Sequence, residues 1–173
     1  AGNLFTLFVF YEVLTLSTYP LVAHKGDENA RRGARIYLLT LLGTSIGFLL
    51  MAVVWTFAIA GNLDFVEGGL LAGKVGPALG SVLLLLFAFG VGKAALMPFH
   101  FWLPNAMVAP TPVSALLHAV AVVKAGVFTI LKVSVYIFGL DLLSALPGTE
   151  IVMWVGCFTI VVASLIALTK DNL

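Results

Sequence analysis

The stretch Gly90–Pro104, GVGKAALMPFHFWLP, carries one cation, Lys93, in an apolar run with no acidic residue within twenty positions on either side. Pro98 has no amide proton, so the carbonyl of Ala94 loses its helical partner, and the proline ring crowds the same turn. A helix entering this stretch is therefore expected to break just after Lys93. Proline persists beyond it: Met97–Pro112, MPFHFWLPNAMVAPTP, holds four prolines and no Asp, Glu, Lys or Arg. Pro98 and Pro104 are the expected break residues and Pro98 to Ala106 a short half-helix. Thr111 and Pro112 form an N-cap and N1 pair for the helix that follows. A kink without a role is the bland alternative.

The surroundings say what solvent this lysine meets. Of the 173 residues, 61% are hydrophobic and 10% charged, and the mean hydropathy is +1.13. A soluble domain carries about 25% charged residues. The composition is that of a membrane protein. A net charge of +1 gives no basic face with which to offset phosphate, so nucleic acid is not an expected partner. Cys157 is alone in an apolar run, which excludes an internal disulfide and a Cys-rich metal site and leaves a small buried hydrophobe as its reading. The opening AGNLFTLFVFYE lacks a basic n-region and a small-residue cleavage site, so it is not read as a signal peptide. The chain has no starting Met and no closing feature after TKDNL, and a fragment of a larger subunit is expected.

A membrane-crossing helix needs about 20 mostly apolar residues, and the sequence offers five such segments: about 4–23, 34–60, 77–106 (broken near 98), 112–139 and 150–169. The expectation is an all-α, multi-pass transmembrane bundle forming a single membrane domain over residues 1–173, with one discontinuous, proline-broken helix. Irregular backbone at membrane depth survives only where protein buries it or where it lines a wet cavity, and transporters place discontinuous helices at their ion sites. Loop charges give the orientation. HKGDENARRGAR, residues 24–35, holds Lys25, Arg31, Arg32 and Arg35, whereas GNLDFVEGGLLAGK holds only Lys74. The positive-inside rule puts the first loop in the cytoplasm and the second outside. Asp141 after the fourth span and Lys170 after the fifth agree, and the N-terminal end of the first span then faces out.

Within the spans, Glu12, Lys93 and Lys124 all fall near the middle. A charge at the bilayer centre costs about 2.5–3.5 kcal/mol on insertion scales, and such residues mark ion or proton pathways by default. A fixed Glu12–Lys93 ion pair that merely satisfies itself is the plain alternative, but Lys124 finds no second acid within the spans. Burial favours a neutral lysine and a nearby carboxylate a charged one. Making or breaking one pair could therefore switch a lysine between holding and releasing a proton. His118 precedes Lys124 by six residues, about 9 Å of rise and roughly 120° apart on an ideal helix; water or a π-bulge would have to align them. It reads as a proton relay or as a satisfied core histidine. Lys132 either snorkels or serves as an exit group, and His100 either lines the break or joins Phe99, Phe101 and Trp102 in an interfacial aromatic belt. Gly90, Gly92, Ala94 and Ala95 around Lys93 suit close helix packing and room for water alike. HExxH, GxSxG, P-loop and dinucleotide signatures are all missing, and no metal or cofactor is expected.

The long block GKAALMPFHFWLPNAMVAPTPVSALLHAVAVVKAGVF, with the earlier FYEVLTLSTYPLVAH, resembles the antiporter-like subunit family shared by respiratory complex I (NADH:quinone oxidoreductase), the Mrp multisubunit Na⁺/H⁺ antiporters and membrane-bound hydrogenases, with the Mrp-like branch nearer. The resemblance covers nearly the whole chain. It implies that the five spans are the fifth to ninth helices of a longer subunit built from inverted repeats, and that Glu12, Lys93 and Lys124, with His118, carry protons along a wet axis. It also implies partners: membrane lipid, the other subunits of an antiporter or respiratory complex, and protons or alternatively Na⁺. The expected location is the cytoplasmic (inner) membrane of a bacterial or archaeal cell. Catalysis by the chain alone is not expected; its place would be in a translocase complex such as an NADH:quinone oxidoreductase. A structural assembly component, or a quinone- or bicarbonate-coupled membrane subunit, is the alternative.

Overall fold

A computed structural model describes residues 1–169; Lys170, used above for orientation, lies outside the described residues. The elements run α1 (Leu4–Val22), α2 (Glu28–Ala60), α3 (Pro77–Gly90), a short α4 (Trp102–Ala106), α5 (Thr111–Phe138), α6 (Leu140–Ala145) and α7 (Pro147–Leu168). Four of them, α1, α2, α5 and α7, are long and apolar enough to cross a membrane, and α3 is a shorter apolar helix. The described residues hold no strand, only an isolated bridge between Asn3 and Asp64. The protein is an all-α, multi-pass membrane bundle.

Local chemistry sets the helix ends. The Asn3 side chain accepts from the Thr6 amide at 2.8 Å and that of Asp27 from the Ala30 amide at 2.7 Å, each satisfying a donor that the first helical turn leaves free. Glu28 adds a negative charge beside the positive end of α2. The arginines expected in a loop thus stand on the first turns of α2. The apolar run expected from residue 34 lies inside a helix that starts earlier, at its cap. Gly61 closes α2 in the left-handed conformation, φ +76°, with its amide on the Phe57 carbonyl at 2.8 Å. Thr111 differs from expectation as well: it is the first helical residue of α5, Pro110 occupies the cap position, and no side chain caps the end.

The break after α3 also comes sooner than Pro98 alone requires. The helix stops at Gly90, three residues before Lys93, and a 3-10 turn over Gly92–Ala94 leads to Ala95 at φ +55°. Close packing accounts for this. A Cβ on Gly90 would overlap the backbone of Leu49, and one on Gly92 would overlap the Thr44 hydroxyl, both on α2. On the other side, a Cβ on Gly126 of α5 would lie 2.6 Å from the Ala94 nitrogen and 2.7 Å from the Lys93 carbonyl carbon. The unwound segment is held between α2 and α5 at positions where only glycine leaves room.

Two apolar clusters flank it. One gathers Leu4, Leu49, Val53, Leu83, Phe87, Val133 and Phe138; the other gathers Val22, Tyr37, Leu41, Trp102, Leu117 and Val122. α7 joins the bundle through polar contacts near its start and middle: the Gly148 amide donates to the Ser81 hydroxyl at 3.0 Å, and the Met97 amide to the Thr159 hydroxyl at 3.2 Å. The rest of α7 leaves Trp154, Phe158, Ile160 and Leu165 exposed. Cys157, expected to be a buried hydrophobe, is exposed on this same helix, because nothing among the described residues covers that face.

Candidate functional site

Lys93 is fully buried, at 0% exposure. Its segment is fixed from several sides. The Trp102 indole N–H donates to the Gly92 carbonyl at 2.9 Å, and the Trp102 ring meets Tyr37 edge-on, centroids 5.5 Å apart. Tyr37 in turn shares a 2.6 Å hydrogen bond with Thr18 of α1. This ties the half-helix after the break to both α1 and α2. The FWLP motif thereby supplies a support for the backbone beside the lysine, a role for Trp102 that the aromatic-belt reading missed.

The lysine side chain lies along Tyr11 of α1. The Lys93 amide donates to the Tyr11 hydroxyl at 3.1 Å, the amine stands 3.3 Å from the centre of the Tyr11 ring, and Nζ donates to the Tyr11 carbonyl oxygen. Thr15 Oγ1 donates to that same oxygen at 3.2 Å. Glu12 is the next residue, within electrostatic reach of the amine. Its two carboxylate oxygens are buried, with the Ser45 hydroxyl of α2 beside them and no cation paired to them. Acid and lysine have therefore come to one place without closing on each other. Tyr11 was not singled out from the sequence; an aromatic residue beside a membrane-embedded acid was the available signal.

The remaining candidates divide. His118 lies in a π turn, Leu116–Val120, of the kind that the spacing to Lys124 called for, and Ala121 leaves it with irregular angles, φ −107° and ψ −69°. Both its ring nitrogens are buried without partners. Lys124, by contrast, is exposed. It sits two residues before Gly126, about 200° around the helix, and shares the outward side of α5 with Val120, Val127, Phe128 and Leu131. Among the described residues no hydrogen bond joins its amine to Lys93, whose amine is on Tyr11. Lys132 lies over the Phe65 ring at 4.0 Å, and its amine donates to the Ala1 carbonyl at 3.1 Å. His100, in a 3-10 turn just before α4, keeps a buried Nδ1 without a partner.

A buried lysine at a helix break, beside an unpaired acid, within a multi-pass apolar bundle is an arrangement of ion-handling membrane proteins. The family described as "NADH:quinone oxidoreductase/Mrp antiporter, TM" matches residues 1–173. The chain is 34% identical over its whole length to a probable K⁺/H⁺ antiporter subunit of Rhizobium meliloti, of which it covers 17%. It is 34% identical over 99% of its length to an Na⁺/H⁺ antiporter subunit of Bacillus subtilis, covering 21% of that protein. It is also 30% identical over 99% of its length to the NAD(P)H-quinone oxidoreductase chain 5 of Synechocystis, covering 25%. The chain belongs to the NADH:quinone oxidoreductase/Mrp antiporter transmembrane family. It spans a quarter or less of the length of these three relatives.

Proposed function

We propose that this chain is the lysine-bearing part of a longer subunit that moves protons across a membrane, alone or in exchange for a cation such as Na⁺, within a multisubunit complex. In this reading Lys93 holds the proton, Glu12 is the charge that draws its amine, and His118 and Lys124 pass the proton on. The antiporter and quinone oxidoreductase names of the relatives support the class of activity. The observation that carries the mechanism is the open pair: a fully buried amine resting on a tyrosine while the adjacent carboxylate has no cationic partner. A fixed ion pair would be closed, because an unpaired buried charge is costly. An open pair can act as a switch.

Lys93 stands where the backbone is unwound, so the amine is not confined to one helical face. His118, with two unpartnered ring nitrogens, can take a proton on one and give it from the other. Lys124, on the outward side of α5, would receive it and present it to whatever packs there in the full protein. We place the protein in the cytoplasmic membrane of a bacterial or archaeal cell, with the 24–35 segment in the cytoplasm and the start of α1 outside, on the distribution of arginine and lysine.

The test is K93A in the full-length protein, assembled in its complex and reconstituted into liposomes. Proton flux should vanish while subunit composition stays normal. Normal flux would remove Lys93 from the pathway; loss of the complex itself would favour an assembly role for the charge.

A further inference from the structure

Tyr11 contacts Lys93 at both ends of the lysine, and this double contact has a use that neither Glu12 nor Lys93 supplies. The Tyr11 hydroxyl accepts from the lysine's backbone amide at 3.1 Å, while the ring face and the main-chain carbonyl of the same residue receive its amine. Both residues are removed from solvent, Tyr11 at 3% and Lys93 at 0% exposure. An aromatic face attracts a cation more strongly when both are desolvated, and a carbonyl oxygen accepts a charge-assisted hydrogen bond. The site thus offers the lysine a seat that contains no carboxylate.

We propose that Tyr11 is a positioning residue that gives the Lys93 amine a second station, off Glu12, and keeps the root of the lysine still while the amine moves between the two. The inference rests on the reading of Lys93 as the proton-holding group. Tyr11 and Glu12 are consecutive, so their side chains leave α1 about 100° apart. In this proposal the amine moves from one to the other on its own side-chain torsions, without a helix being displaced. The backbone at the root of that swing is secured twice, by the Tyr11 hydroxyl on the Lys93 amide and by the Trp102 indole on the Gly92 carbonyl. The carboxylate makes no ion pair and is open to the incoming amine.

Proton flux is measured in liposomes carrying the full-length protein in its complex, as wild type, Y11F, Y11L and K93A. Y11L removes the ring and should lower flux about thirtyfold, the scale of a desolvated cation–aromatic contact, with the complex still assembled. Y11F keeps the ring and the carbonyl and should stay well above Y11L. Wild-type flux from Y11L overturns the second station while K93A is still inactive; Y11F as low as Y11L overturns the ring as the seat and leaves Tyr11 only its hydroxyl anchor on the Lys93 amide. Flux retained by K93A instead overturns the function proposed for the lysine, whatever Tyr11 does. Should Y11L not assemble, an electron cryo-microscopy map of the E12Q complex decides. The amine is expected to rest on Tyr11 when the carboxylate is gone, and density for it elsewhere overturns the inference.

Discussion

The indole N–H of Trp102 and the carbonyl oxygen of Gly92 are 2.9 Å apart, so the half-helix that follows the break supports the residue just before the buried lysine. Trp102 is itself fully buried. In W102F the indole donor is lost and the smaller ring leaves part of a buried volume unfilled, while the Gly92 carbonyl keeps its bond from the Ala95 amide at 3.0 Å; the lost hydrogen bond and the void together should cost about 1–3 kcal/mol. The purified full-length protein should melt at a lower temperature. If the support matters to the lysine, flux measured well below that temperature should fall too; unchanged flux would make the bond purely structural.

Glu12 is half-buried, but its two carboxylate oxygens are shut away from solvent without a cation beside them, only the Ser45 hydroxyl. Replacing the acid by its neutral amide, E12Q, removes an unpaired buried charge, so the variant should be at least as stable as wild type, by up to about 2 kcal/mol. Under the proposed function it should nonetheless lose flux. Thermal melts and flux assays on one preparation read both quantities.

Lys124 separates fold from function in a different way. It is exposed and makes no hydrogen bond among the described residues, so K124A should change stability by no more than about 0.5 kcal/mol. Proton flux is expected to disappear all the same. Retained flux would exclude Lys124 from the path.

Gly126 is where α5 meets the lysine segment, and a Cβ there would come within 2.7 Å of the Lys93 carbonyl carbon. G126V should destabilise by about 1–3 kcal/mol through overpacking. Because the contact is with the backbone and not with a flexible side chain, relaxation must move a whole helix. The expected readout is a lowered melting temperature together with lost flux.

Thr18 and Tyr37 are joined by a buried 2.6 Å hydrogen bond between α1 and α2. A double-mutant cycle of T18V and Y37F should return a coupling of about 1 kcal/mol. A coupling near zero would show that water replaces the bond at little cost.

Much of this arrangement could be read from residue order. Composition and the lengths of the apolar runs point to a multi-pass helical bundle, and the proline-rich block marks an interruption beside Lys93. The place of the interruption was not legible, because Pro98 acts on its own turn whereas Gly90 and Gly92 act through neighbours that come from distant sequence, Leu49 and Thr44. The helical start of α2 lies ahead of its apolar run for a related reason: the Asp27 cap is a local hydrogen-bond feature that precedes the hydrophobic stretch. Glu12, Lys93 and Lys124 stand out as charges in apolar surroundings. Tyr11 does not, since an aromatic residue in such a helix is ordinary until the fold lays a lysine across it. The outward aim of Lys124 became visible only once Gly126 was known to face the lysine segment.

The wide turn at Leu116–Val120 has a consequence for how α5 divides its labour. A π turn accommodates one residue more than an α turn, and each residue of an α-helix advances the azimuth by about 100°. Removing a single residue there would re-clock the histidine-bearing end by that amount while Gly126 stayed seated on the lysine segment. The two ends of one rod are thereby uncoupled in aim: His118 can be redirected by a one-residue change in chain length without disturbing the joint that holds Lys93.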